Sequence, residues 1–247
     1  MDLTGGDTQG IDFADLTSPT LTDVQRQVLN FTESRHIRFD VDQMLAEAID
    51  QAGVTDLDDT DGFGDRLAAH VAAIDGDTGL TQLTRGTLRQ RVVRLLRNRL
   101  SLTDLVKRYP EIESIRIEKP FIVVGMPRSG TTHLVNLIAA DPRRRALPYW
   151  ESQEPIPARG QGPDIFGVDP RYTRIKQEHD ALMVTAPMVA AMHDRFPAAI
   201  EEEVELLDLD LASYVLEWHA RVPDWRDYYL TLDQHRHYAY LKKCCGR

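Results

Sequence analysis

The chain of 247 residues carries 39 Asp/Glu against 29 Lys/Arg, a formal net charge of −10, with 42% apolar and 28% charged residues. Those proportions are ordinary for a globular protein of one large or two small domains, and the acidic balance excludes a general nucleic-acid-binding surface. The N-terminus lacks the basic-then-apolar order of a signal peptide, and the longest nearly apolar run, Ala181 to Met192, is too short to span a bilayer. Cys244 and Cys245 are the only cysteines and are adjacent, so no disulfide framework is available and a reducing, cytoplasmic setting is expected.

In chain order, residues 1–20 are polar and read as frayed. Val24 to Leu29 and Val41 to Ala52 repeat apolar residues at helical spacing, the second stopped by Gly53. Thr55 to Gly64 reads as an acidic loop, and Leu67 to Ile74 as a short helix. A longer helix is expected from Thr87 to Leu100, then another from Leu102 to Tyr109, ended by Pro110. The first 115 residues therefore form an N-terminal helical region, expected to cap an α/β core.

From Phe121 the pattern changes. Phe121 to Val124 is a short apolar, β-branched run, the mark of a buried parallel strand. It leads through a turn holding Gly125, Pro127 and Gly130 into a helix over Thr131–Ala140. Arg145 to Pro148 reads as a second short strand. Residues 155–170, with four prolines and three glycines, form a long loop, followed by a helix from Arg171 to Leu182. Glu201 to Leu207 starts a further helix, and Pro223 to Lys243 reads as the last. The fold class expected is α/β, an incomplete P-loop-like parallel sheet over residues 116–247 preceded by the helical region.

A strand, a glycine turn and a helix N-terminus together make an anion site, because backbone N–H groups converge there and the helix dipole favours negative charge. Gly125 and Gly130 have the G-x-x-x-x-G spacing of a nucleoside-triphosphate loop, and Thr132 stands where that motif places its hydroxyl. The motif's lysine is replaced by Thr131, and the nearest cation, Arg128, lies inside the loop. The pattern therefore favours a phosphate-bearing donor over a metal-bound triphosphate. Charge is distributed accordingly: residues 1–80 hold 4 Lys/Arg against 17 Asp/Glu, whereas residues 81–147 hold 14 against 5. The basic stretch either steers a polyanionic donor to the loop or forms the solvated face of a helix.

Pro127-Arg128-Ser129-Gly130-Thr131-Thr132 is similar to the 5′-phosphosulfate-binding loop of sulfotransferases that use 3′-phosphoadenosine 5′-phosphosulfate. The resemblance extends in order through Leu96–Leu100, Pro110-Glu111-Ile112, Ala139–Pro142, Trp150-Glu151, Glu154-Pro155, Asp169-Pro170-Arg171 and, weakly, Tyr238 to Lys243. The chain resembles the bacterial, actinobacterial-type sulfotransferase family over about residues 85–243. The resemblance implies that Arg128, Ser129, Gly130, Thr131 and Thr132 hold the donor's 5′-phosphate. Arg128 stands where many members carry lysine and would stabilise the leaving oxygen electrostatically.

The resemblance suggests Glu151 as the base that takes the acceptor's proton, the rival reading being a loop carboxylate paired to Arg143–Arg145; His193 is the alternative base. Glu201 to Glu203 read as helix-terminus charges. His235 and His237, two apart on a helix, make a poor metal pair, so no metal is expected. Met183, Val184, Met188, Val189 and Met192 form either core or an adaptable apolar surface for a small or lipid-like hydroxyl acceptor.

The resemblance also implies a further C-terminal strand and helix binding the donor's 3′-phosphate. The sequence ends at Cys244-Cys245-Gly246-Arg247 before them, so a truncated or frame-changed chain lacking half of the donor site is expected. The rival classes are a P-loop kinase or ATPase and a non-catalytic helical binding fragment.

Overall fold

The computed structural model describes residues 18–126 and 128–245, so the loop's Pro127, the frayed reading of residues 1–17 and the final Gly246-Arg247 lie outside the described residues. The N-terminal helices are α1 (Asp23–Glu33), α2 (Val41–Ala52), α3 (Phe63–Gly76) and α4 (Gln82–Arg108). Each boundary has a local cause. Thr22 caps α1, accepting from Gln25 N while the Gln25 side chain accepts from Thr22 N. Asp40 caps α2, and Gly53, with φ +66°, ends it in the left-handed conformation that costs glycine nothing.

The two helices expected over 87–100 and 102–109 are one. Ser101 between them is polar without being a breaker, and its hydroxyl donates to the Arg97 carbonyl inside a continuous α4. At 27 residues α4 is about 40 Å long and serves as the central post. Leu88, Val92, Leu95, Leu96, Leu100 and Leu102 are buried along it, against Met44 and Ala48 of α2 and Phe63, Leu67 and Ile74 of α3.

After α4 come a 3-10 turn (Pro110–Ser114), α5 (Thr131–Ala139), α6 (Tyr149–Gln153), α7 (Pro170–Thr185) and α8 (Val189–Met192). The chain then passes through α9 (Val204–Leu207), two 3-10 turns (Asp208–Asp210 and Val215–Trp218), α10 (Pro223–Tyr229) and α11 (Gln234–Cys245). The single expected last helix is therefore two. Asp233 accepts from His235 N and starts α11 anew. Leu206, Leu209, Leu211, Leu216, Trp225 and Leu241 join the core cluster of α2–α4, so the C-terminal third packs back onto the helical post.

The expected parallel sheet is not there. Among the described residues the only β pairing is one antiparallel bridge, Pro148 to Ile200, flanked by Glu201 N donating to Leu147 O and Tyr149 N to Ala199 O. Residues 121–126 run without regular structure and lie open, Ile122 being 77% and Val124 87% exposed. An apolar, β-branched run is a strand only where a neighbour takes its N–H and C=O groups; composition reports the run and not the neighbour. The α/β, P-loop-like class is thus replaced by a helical architecture with an extended segment leading into α5.

Buried charge is the other feature of the core. Asp210, 1% exposed, accepts at Oδ1 from Arg66 Nη2 (2.6 Å) and Arg99 Nη1 (2.7 Å), and its Oδ2 lies 2.6 Å from His237 Nδ1. Asp61 completes the cluster by pairing with both arginines. Other arginines expected to face solvent or a donor are also paired: Arg89 with Glu47, and Arg91 with Glu205 and Asp208. These arginines of the basic stretch are therefore neutralised by acids from distant sequence.

His70 is fully buried against Trp225, ring centroids 4.8 Å apart, and neither ring nitrogen has a hydrogen-bond partner among the described residues. Burial lowers its pKa from 6.5 to about 4. A folded-state value below the unfolded one means that protons favour the unfolded chain. Stability is complete above pH 6.5 and is lost as pH falls toward 4, by up to about 3 kcal/mol for this one residue. Urea unfolding at pH 7 and pH 4.5 should show this loss, and His70→Leu should flatten the profile between those values.

Candidate functional site

The loop between the extended segment and α5 is shaped by its two glycines. A Cβ on Gly125 would stand 2.7 Å from Ser129 Oγ and 2.8 Å from Thr131 Cγ2, so no larger residue fits without moving them. Gly130 is the N-cap of α5 with φ +92°, a conformation in which only glycine is unstrained. No side chain caps α5, which leaves its first-turn N–H groups directed into the loop.

Within the loop, Ser129 N donates to Met126 O (3.1 Å) and Ser129 Oγ to the same carbonyl (2.6 Å). Arg128 has φ +66°, a strained value for a side-chain-bearing residue, and its Nη1 donates to Met192 O at 3.0 Å. Thr131 is half-buried, while Arg128, Ser129, Gly130 and Thr132 are exposed. The five residues read as the phosphate cradle thus sit together on one turn.

Glu151 lies on α6 and accepts from Arg145 Nη2 at both carboxylate oxygens, 2.9 and 3.1 Å. The carboxylate is 13% exposed and its arginine 63%. His193 directly follows Met192, whose carbonyl anchors Arg128. Its Nε2 is 2.9 Å from Glu201 Oε2, and that hydrogen bond, opposed by desolvation, raises the histidine above the usual imidazole value. Glu201, expected to be a helix-terminus charge, is a buried partner of His193 instead. The turn over 196–199, with Pro197 at its second position, brings the two together.

The methionine segment is not core. Val184 is 54% and Met192 64% exposed, and Met183, Met188 and Val189 are half-buried. His237 and His235 are occupied separately, by Asp210 and Asp233. No group of three His, Cys, Asp or Glu is placed to hold a metal among the described residues, nor is any described helix long and apolar enough to cross a membrane.

Residues 120–245, just over half of the chain, match the sulfotransferase family. Among solved structures, sulfotransferase STF1 from Mycobacterium tuberculosis H37Rv is 28% identical with a TM-score of 0.71, covering 84% of this chain and 56% of that one. Sulfotransferase STF9 from Mycobacterium avium shares the fold at 22% identity and TM-score 0.71, covering 85% of this chain and 53% of that one. The chain therefore spans a little over half the length of either. No curated protein matches significantly. With the matched region starting at the extended segment and containing the glycine loop, α5, Glu151 and His193, the chain belongs to the sulfotransferase family.

Proposed function

We propose that the chain supplies the 5′-phosphosulfate site of a sulfotransferase that moves a sulfuryl group from 3′-phosphoadenosine 5′-phosphosulfate to a hydroxyl of a hydrophobic acceptor. The observation that carries this reading is the loop at 125–132. A glycine crowded by Ser129 and Thr131 and an uncapped nine-residue helix N-terminus form a backbone turn suited to an anion beside an arginine. The donor supplies the activated sulfur; the chain's residues hold and polarise it. The N–H groups of Gly130 to Thr132, with the Thr131 and Thr132 hydroxyls, would bind the 5′-phosphate, the Ser129 N–H being taken by Met126 O, and Arg128 would offset the charge developing on its bridging oxygen. Arginine carries that charge without titrating, so its role is electrostatic.

The exposed Val184 and Met192 surface, tied to the loop through the Met192 carbonyl, supports an acceptor with an apolar body.

Proton removal from the acceptor is assigned to Glu151, whose two carboxylate oxygens both accept from Arg145 Nη2. A second reading rests on His193: it adjoins the residue that anchors Arg128, and Glu201 makes it a stronger base. Initial rates of sulfate transfer to a hydrophobic alcohol, measured from pH 5 to 9, separate the two. Glu151→Gln should lower kcat by about 10²- to 10⁴-fold, the range for loss of a general base, with KM little changed. His193→Ala should leave kcat within a few-fold. The reverse ranking would transfer the role to His193, and no transfer by the unaltered chain would contradict the reading itself.

A further inference from the structure

A cavity of about 950 Å³ lies between α1, α4 and α7, roofed by Tyr149 and Arg195, and the proposed sulfuryl-transfer chemistry does not use it. That volume is at the upper end for small-molecule sites. Seven arginines line it against two glutamates. Arg89 and Arg91 are already held by Glu47 and by Glu205 with Asp208. Arg94 and Arg97 are not held closely: their nearest carboxylates, on Glu178 and Glu154, are 3.8 and 3.6 Å away. Glu154 is moreover committed to Arg174 at 2.6 Å. Arg195 Nε is buried with no hydrogen-bond partner among the described residues.

A buried guanidinium N–H without an acceptor is costly, and three incompletely paired arginines around one space leave an excess of positive charge in low-dielectric surroundings. The neighbouring groups respond to that excess. Burial lowers Arg97 below the ordinary guanidinium value against the opposing pull of Glu154, with Arg94 and Arg174 adding smaller contributions to the fall. His219 is pushed down to about 4, first by burial and then by Arg91 and Arg195. Among polar residues such as Gln43, Gln82 and Thr185, the accessible apolar surface of the wall comes from Ile37, Leu83 on α4, and Ala181 and Leu182 on α7.

A cationic pole beside a strip of apolar side chains on α4 and α7 matches one kind of small molecule. We propose that this cavity binds an anionic amphiphile, a single apolar tail bearing a sulfate, phosphate or carboxylate head, with the head on Arg94, Arg97 and Arg195 and the tail along α4 and α7. The site is separate from the glycine loop, and its occupancy does not depend on the loop's holding a donor.

Octyl sulfate, below its micelle concentration, is the probe, with 1-octanol and inorganic sulfate as half-ligands, each titrated calorimetrically into the full chain. Octyl sulfate should bind at least tenfold more tightly than either half. Arg195→Gln and Arg97→Gln should each weaken it at least fivefold, with Arg195→Lys intermediate and still folded by its urea midpoint. Arg128→Gln and an excess of 3′-phosphoadenosine 5′-phosphate should change nothing. Equal binding of octanol, indifference to Arg195→Gln and Arg195→Lys, or displacement by the bisphosphate would each overturn the proposal. Each of these results would leave the loop's donor reading standing, and the last would place the probe at that loop instead.

Discussion

Asp210→Ala is expected to destabilise the fold by about 3–5 kcal/mol, the cost of leaving buried charges without their partner. Within the cluster of described residues, Asp210 alone touches Arg66, Arg99 and His237 together. Its backbone carbonyl also accepts from Arg66 Nε at 2.8 Å. Removing the carboxylate leaves two guanidinium groups, 2% and 1% exposed as residues, sharing Asp61 as their remaining carboxylate in the cluster. The elements that meet there are α3, α4, the 208–210 turn and α11, so the penalty falls on the joint between the N-terminal helices and the C-terminal third. Asp210→Asn keeps the shape and loses the charge, and should cost nearly as much, because each arginine keeps an acceptor but not a counter-charge. Urea unfolding monitored by tryptophan fluorescence measures both. A loss under about 1 kcal/mol at constant m would show that the cluster is relaxed by water or by Asp61.

Arg128→Ala is expected to lower kcat/KM for sulfate transfer by about 10²- to 10³-fold, the usual cost of removing one preorganised charge-stabilising group. The side chain does two things at once. It places a permanent cation inside the cradle, and its bond to Met192 O ties the loop to the segment holding His193. Arg128→Lys separates them, since lysine restores the charge without the guanidinium fork and should recover part of the loss. Stability should hardly change, because Arg128 is exposed and in a strained backbone conformation. Equal activity of Arg128→Ala and the unaltered chain would remove the arginine from the chemistry.

How much of this can be read from the sequence depends on how local the cause is. Helix α2 is legible to the residue, because Asp40 and Gly53 act within one turn. The loop and the start of α5 are legible for the same reason: Gly125 is demanded by contacts with Ser129 and Thr131, and Gly130 by its own φ of +92°. The length of α4 is underestimated where Ser101 resembles a break, and the start of α11 is missed unless Asp233 is weighed as a cap.

Inferences that need a partner far along the chain fail altogether. Phe121 to Val124 has strand composition, but no described neighbour pairs with it. Arg99 resembles part of a charged face, and its destination is Asp210, 111 residues away and buried. At the candidate base, Arg145 is within reach of the sequence as a rival partner for Glu151. The His193–Glu201 pair is not, because a chain reversal makes it.

The most direct test of the central claim, that the 125–132 loop is a donor site, is a calorimetric titration of the full chain with 3′-phosphoadenosine 5′-phosphate, run beside ATP with magnesium. Saturable binding of the bisphosphate is predicted, abolished by Gly125→Val and weakened by Arg128→Ala, with no comparable binding of magnesium ATP. No binding of the bisphosphate by the folded chain, or preferential binding of magnesium ATP, would contradict it.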